Sequence, residues 1–377
     1  MVDKKLDTIW DMQPHTQAKH RILQGYLGAW FQIIGTSMPK AERALYVDGF
    51  AGPGRYVGGE VGSPIVAVEA ARVAAKNSKI PLRLVFIEED RARCDHLNQA
   101  LHPHRQDRER PQRLDIRDPI RGDCEEQLSR TLDRYEAKGK SFGPALVFLD
   151  QFGYSDVSLD LIRRLMSHKS CEVFTYLHAD GILRFINDPA KESALTKAFG
   201  GDAWRIARTG SGNVPSTLAS IYRQQLVTGA NVQFVWTFAM HGDGGRLLYW
   251  LFFCTNSLKG LREMKMAMLR VDDTGDFRFS DSESPDQMIL FSAAKDDAWL
   301  EDHLSAHFAG NTVTVHDVNV HVLTRTPRVH YKEALQRLEK AKRLQVVDPP
   351  AKRRAGTFAE PSMCLHFLGS TTGSLKF

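Results

Sequence analysis

Two apolar runs, NVQFVWTFAM (231–240) and RLLYWLFFCTN (246–256), are separated only by HGDGG. Each has the length and the β-branched and aromatic content of a strand. Parallel strands need a crossover of a dozen or more residues, so this spacing predicts an antiparallel hairpin. Four further strand-like runs lie upstream: ALYVDGF (44–50), LRLVFIEED (82–90), ALVFLDQFG (145–153) and EVFTYLHA (172–179). Segments with helical periodicity separate them, among them SPIVAVEAARVAAKNS, CEEQLSRTLDRYEAK and SLDLIRRLMSH. Most of the strand-like runs are continuously apolar, as central strands covered on both faces require. Alternating strand and helix predicts a doubly wound, mostly parallel sheet, here ending in one antiparallel edge hairpin.

The rest of the chain frames that sheet. Residues 15–36 place Ile22, Leu23, Tyr26, Leu27, Trp30 and Ile33 at helical spacing. Residues 184–225 form an insertion rich in helix formers, expected over the binding face beyond a strand's C-terminal end. After about residue 280 the pattern changes. DAWLEDHLSAHFAG, VTVHDVNVHVLTRT and HYKEALQRLEKAKR read as three short helices, and LQVVD and MCLHF as strands joined through PPAKRRAGTF. Three helices and a hairpin give the layout of a winged helix-turn-helix. The expected division is an α/β domain over 1–280, carrying the 184–225 insertion, and a winged-helix domain over 281–377.

Charge follows the same division. Residues 281–320 carry one base and eight acids, whereas residues 321–377 carry eleven bases and four acids. A basic C-terminal end on a near-neutral body is a local electrostatic footprint. Lys332, Arg337, Lys340 and Arg343 are expected on the solvent side of the third short helix, and Lys352, Arg353 and Arg354 at the wing tip. Such a cluster suits phosphates; the alternatives are a solubilising surface or a patch for an acidic protein. The five cysteines, Cys94, Cys124, Cys171, Cys254 and Cys364, contain no CxxC pair, so neither a zinc site nor a disulfide framework is suggested. The longest apolar run, LLYWLFFC, is too short to span a bilayer, and the N-terminus lacks the core of a signal peptide. A cytoplasmic protein is expected.

The first strand-like run opens into DGFAGPGRY. Its glycines, at 49, 52 and 54, do not fit the G-x-G-x-x-G of dinucleotide-binding turns. Gly49 and Gly54 have P-loop spacing, but Arg55 and Tyr56 stand where lysine and a hydroxyl residue are needed. The form D-x-F-x-G-x-G does match motif I of many S-adenosylmethionine (SAM) methyltransferases. In that reading Asp48 sits near the cofactor's amino acid part, and Gly49, Phe50, Ala51, Gly52 and Gly54 form the turn around it, with Gly52 and Gly54 allowing close backbone approach. The bland alternative is a tight strand-to-helix turn. Further acids follow in order. Glu88, in FIEED, suits the ribose hydroxyls, with Glu89 as its register alternative. Asp123, in GDCEE, suits the adenine amino group, or simply caps the helix beginning there.

LDQFGY would carry the chemistry. Asp150 supplies a hydrogen-bond acceptor that holds a nucleophilic nitrogen in line with the methyl carbon. Phe152 and Tyr154 are expected to stack on a planar base. Amino-methyltransferases typically show [DNS]-P-P-[YFW] here, from which Asp150-Gln151-Phe152-Gly153-Tyr154 departs. Together with the sheet pattern, these residues point to a class I SAM-methyltransferase-like fold. His15, Lys19, His20 and His178 are polar residues beside apolar runs, read as surface or satisfied core positions; His178 and Asp180, just past the fifth strand-like run, are also candidates for substrate contacts.

DGFAGPGRYVGGEVGSP, FIEED, FLDQFGY and CTNSLKGLREMKMAM, in that order, resemble the three-Cys-motif partner family, TcmP. The resemblance runs from HTQAKH into the basic C-terminal module. It implies a SAM-methyltransferase-like fold with a C-terminal winged helix, and a separate radical-SAM-like partner bearing three cysteines. It also implies modification or repair of nucleic acid, DNA or RNA. Members usually read D-P-F-G where this chain has Asp150-Gln151-Phe152-Gly153. The expectation is thus a SAM-dependent methyltransferase acting on nucleic acid; the alternative is a non-catalytic nucleic-acid-binding adaptor of that partner.

Overall fold

The computed structural model describes residues 8–151, 153, 156–209, 213–242, 245–272, 278–280, 297–349 and 352–368. The chain forms two compact units, one of residues 1–271 and 278–284, the other of residues 272–277 and 285–377.

The first unit opens with α1 (Pro14–Ser37), β1 (Ala44–Asp48), α2 (Ser63–Ala75), β2 (Leu82–Glu88), α3 (Arg91–Gln106), β3 (Leu114–Ile116), β4 (Ile120–Arg121), α4 (Cys124–Glu136) and β5 (Ala145–Leu149). There follow α5 (Leu159–Ser167), β6 (Cys171–His178), α6 (Ala179–Phe185), α7 (Glu192–Phe199), α8 (Ile206–Thr209), α9 (Val214–Thr228), β7 (Phe234–His241), β8 (Leu247–Thr255), α10 (Leu258–Leu269) and β9 (Arg278–Ser280). The sheet order is β3-β2-β1-β5-β6-β8-β7-β9, with β4 paired to β2. Strands β1 to β6 run parallel, and β8 is antiparallel to both β6 and β7. A parallel sheet completed by an inserted antiparallel hairpin is the class I methyltransferase arrangement.

Three features of the sheet were not legible beforehand. The edge strand β3 has only three residues and is too short to show a period. The hairpin is not outermost, because β9 pairs parallel with β7 beyond it. The inserted helices begin at Ala179, directly after β6, rather than at 184.

Side chains alternate across β1. Leu45 and Val47 enter an apolar cluster with Leu128, Ile162 and Leu165 from α4 and α5. Tyr46 faces the other way, edge-on to Phe31 of α1 and Phe86 of β2. Both faces are therefore packed, which explains why the strand is continuously apolar.

The second unit contains α11 (Asp297–His307), β10 (Thr312–Thr314), α12 (Val315–Arg325), α13 (Lys332–Lys340), β11 (Leu344–Val346) and β12 (Cys364–Phe367). Its sheet order is β10-β12-β11, antiparallel throughout. The run VTVHDVNVHVLTRT, expected to be wholly helical, starts as a strand. Thr314 then caps α12 in a reciprocal capping box with Asp317. Leu304, Val318, Val322, Leu335, Leu338, Leu365 and Phe367 form the core of this unit.

Candidate active site

Parallel α/β sheets present their binding crevice at the C-terminal ends of the strands. Here the end of β1 is fixed from several sides. The Gly49 amide donates to Phe148 O at 2.8 Å, and the Ala51 amide to Ile87 O at 2.9 Å. The turn closes when the Gly62 amide donates to Gly54 O at 2.9 Å, just before α2 begins. Gly52 and Gly54 hold φ of +62° and +81°, in the left-handed region that favours glycine.

The two glycines differ in what surrounds them. A Cβ on Gly54 would lie 2.9 Å from Leu97 Cδ1 and 3.3 Å from Ala100 Cβ, so this glycine lets α3 pack against the turn. A Cβ on Gly52 would meet only Trp10 Cη2, at 3.9 Å, and so would project into open space. Gly49 is also a packing position, because a Cβ there would lie 2.5 Å from Cys124 Sγ.

The acids expected around the turn are brought to it. Asp48 is fully buried, and its Oδ1 accepts from the Phe50 amide at 3.3 Å. Burial, with the Asp150 charge adding to it against the Ser63 hydrogen bond, pushes its carboxyl up to about 7. Glu88 is 4 % exposed and reaches across to the turn. Its Oε2 accepts from the Gly52 amide at 2.8 Å, and its Oε1 accepts from the Asp90 amide at 3.0 Å and pairs with Arg93 at 3.1 Å. Glu89 is exposed, so Glu88 is the side chain that faces the glycines. Asp123 caps α4, accepting from the Glu126 amide at 2.8 Å; the capping role is realised.

Asp150 follows the last residue of β5 and pairs with Lys19 of α1. The neighbouring Gln151 turns inward and donates to Tyr176 O at 3.1 Å. Phe152 and Tyr154, expected to stack on a base, lie outside the described residues.

A cavity of about 170 Å³ opens beside the turn, and of the expected acids only Asp150 lines it; it is also lined by Phe50–Tyr56, Tyr176, His178, Tyr249 and the segment from Trp10 to His20. The last of these is what sequence reasoning missed. Lys19 and His20 lie on the buried side of α1, where polar residues read as satisfied core positions. Burial and the charge of Lys19 push the His20 imidazole down to about 3, so it is neutral near pH 7. Trp10 packs edge-on to Tyr56 with centroids 6.0 Å apart, and its carbonyl accepts from the Val57 amide at 3.1 Å. A larger cleft of about 710 Å³ lies between β2, β3 and α4. Its lining is aliphatic and largely basic, and none of the glycine-turn acids line it.

The winged-helix unit corrects part of the basic surface. Arg353, placed at the wing tip by sequence, folds back onto α13 with its side chain 8 % exposed. It pairs with both oxygens of Glu339 at 2.7 and 2.8 Å and lies over the Phe358 ring. Arg337 pairs with Glu301, and Arg343 with Asp302 at 2.9 Å. The acids of α11, remote in sequence, thus neutralise part of the expected patch. Lys332, Lys340, Lys352 and Arg354 are exposed.

Residues 278–351 match the family model of the GMT-like wHTH domain. The match takes in α11 to α13 and β11. No curated protein matches the chain. Among solved structures, an O-methyltransferase from Bacillus cereus in complex with SAH is 13% identical. That match covers 65% of this chain and 83% of the other, with a TM-score of 0.34. Trm1 from Pyrococcus horikoshii with S-adenosyl-L-methionine is 9% identical over 69% of this chain and 60% of that one, at 0.35. TomG, an O-methyltransferase from Streptomyces achromogenes in complex with SAM, is 12% identical over 66% and 92%, at 0.31. Likeness this distant carries no argument about activity; the fold rests on the strand order itself. Among the described residues, no helix is long and apolar enough to cross a membrane, and no cluster of His, Cys, Asp and Glu could hold a metal ion.

Proposed function

We propose that the first unit is a SAM-dependent methyltransferase and that the second docks it on nucleic acid. One observation carries the reading: Asp48, the Gly52 turn, Glu88 and Asp150 come together at the C-terminal ends of adjacent parallel strands. The residues fit the cofactor where they can be tested. Gly52 leaves open space where any side chain would intrude, and a buried acid stands at the end of each of the first two strands. Bound SAM would supply an electrophilic methyl group.

The chain's own residues then divide the work. Asp48, buried at the end of β1, would hold the cofactor's ammonium group and would give up its carboxyl proton to do so. Glu88 holds the Gly52 amide and so shapes the turn that would meet the ribose; Asp123, at the start of α4, would hold the adenine amino group. Asp150 accepts the hydrogen bond of the methyl acceptor, while Trp10 and Tyr56 exclude water from the same end. The cavity is smaller than the roughly 300 Å³ at the lower end of small-molecule pockets, so a bound cofactor would need the wall from Trp10 to Lys19 to give way.

Nucleic acid is the proposed partner because a helix-turn-helix match and exposed cations occur in one unit. A radical-SAM-like partner protein is proposed from the TcmP resemblance alone. The test is calorimetry with SAM, followed by transfer of a tritiated methyl group to mixed DNA and RNA. SAM binding with transfer supports the enzyme. Tight nucleic-acid binding with no transfer, even with the partner present, supports the adaptor.

A further inference from the structure

The ion pair between Lys19 and Asp150 sits where the methyl-transfer reading needs a free acceptor. Lys19 reaches in from α1, and the two side chains are only 9 % and 17 % exposed. Its Nζ lies 5.7 Å from the centroid of the Tyr176 ring and 5.9 Å from that of Tyr249. The two tyrosine rings are themselves 5.2 Å apart, and His178 stands 6.4 Å from each. A cation within about 6 Å of a tyrosine face is attracted by the ring quadrupole, more strongly once desolvated. A carboxylate and two ring faces thus form a seat whose chemistry selects a positively polarised N–H donor. A hydroxyl offers less charge to the rings, and a carboxylate or phosphate is repelled by Asp150.

We infer that this seat is the acceptor subsite, that it takes an amino nitrogen whose lone pair receives the methyl group while Asp150 accepts the N–H proton it gives up, and that the Lys19 ammonium is its resident stand-in. The inference rests on the methyl-transfer reading for the word acceptor; the selectivity of the seat does not. Tyr176 is on β6 and Tyr249 on β8, so the aromatic wall belongs to the rigid sheet. Lys19 carries its ammonium on a flexible four-carbon stem, so the charge can withdraw while α1 stays packed. Lys19 therefore acts as a positioning residue: its pairing with Asp150 keeps the seat formed until an amine replaces it.

The experiment removes the stand-in and supplies its missing piece. Lys19→Ala deletes the equivalent of propylammonium, so the variant is titrated with n-propylammonium chloride and, as a shape control, n-propanol. Thermal unfolding reports binding without any cofactor or turnover. The expected result is a saturable rise in Tm for Lys19→Ala with the amine only. The rise is absent in the wild type and in Lys19→Ala/Asp150→Asn. An equal response to both additives, an equal rise in wild type, or no rise in Lys19→Ala overturns the inference. If Lys19→Ala does not fold, Lys19→Met keeps the stem to its terminal carbon and is titrated with ammonium chloride instead, with potassium chloride as the control, under the same criteria. SAM calorimetry on the same variant separates the two readings. Amine binding without SAM binding keeps the seat and removes the methyltransferase; SAM binding without amine selectivity does the reverse.

Discussion

Glu88, at the end of β2, accepts a 2.8 Å hydrogen bond from the amide of Gly52 in the turn after β1. The same carboxylate holds Asp90 and Arg93 at the start of α3. One acid therefore fixes both the shape of the turn and the helix beside it. Glu88→Ala is expected to act twice: it loosens the turn, so SAM affinity falls, and it leaves Arg93 facing a lost partner. Removing one partner of a buried pair costs about 3 kcal/mol. Glu89→Ala, on the exposed side, should change stability by less than about 0.5 kcal/mol. Urea unfolding and SAM calorimetry on both variants check this. Equal effects at the two positions would place the register one residue away.

The two left-handed glycines should separate by phenotype. Asn tolerates positive φ, so Gly52→Asn keeps the backbone while filling the open space beside it. It is expected to abolish SAM binding with Tm nearly unchanged. Gly54→Ala places a Cβ against Leu97 and Ala100 and is expected to lower Tm. A Gly52→Asn variant that binds SAM normally would remove the turn from the cofactor site.

Asp48 gives a pH prediction. Its carboxyl is held up to about 7 in the fold, chiefly by burial, against an ordinary value of 3.8. Folding therefore takes up a proton between those values, and this contribution to stability is lost as pH rises from about 4 to about 7. Asp48→Asn mimics the protonated form and lacks that loss. Relative to the variant, the wild type should lose up to about 1.4 kcal/mol per pH unit across this window, read from urea unfolding at pH 5 and pH 7. The same shift makes SAM binding tighter as pH rises toward 7, with a proton released; calorimetry in two buffers of different ionisation enthalpy detects it. A pH-independent difference between wild type and variant would show that Asp48 is ionised throughout.

The basic surface of the second unit divides into structural and available cations. Arg353→Ala strands Glu339, which also accepts from the Gly356 amide at 2.7 Å, and is expected to destabilise the wing by about 1–3 kcal/mol. Lys352→Ala/Arg354→Ala should leave Tm unchanged, weaken binding similarly across nucleic-acid sequences, and flatten its salt dependence. Titration of duplex DNA and structured RNA at two salt concentrations tests this. Unchanged affinity in the double variant would leave the wing out of the interface.

A buried polar contact sets the opposite end of the sheet. Glu172 of β6 accepts from Tyr26 of α1 at 2.6 Å and from Thr255 of β8 at 2.5 Å. A Cβ on Gly260 would lie 2.2 Å from its Oε1. Gly260→Ala is therefore expected to lower Tm without changing SAM affinity, and an unaltered melting curve would show that the network can yield.

What the sequence determined is what local chemistry determines. Strand identity followed from continuous apolar runs, the antiparallel pair from a connection too short for a crossover, and the glycine turn from the spacing after Asp48. The tertiary structure decided which of those residues meet. Three-residue strands such as β3 and β10 carry no period, so only pairing reveals them. Gly52 and Gly54 look equivalent in a line, yet α3 fills the space beside one and leaves it open beside the other. Arg353 looks like a wing-tip cation until Glu339, on the preceding helix, folds it inward. Lys19 lies 131 positions before Asp150. Nothing in its own segment marks it as part of the site, because a charge partner brought in by folding has no local signature.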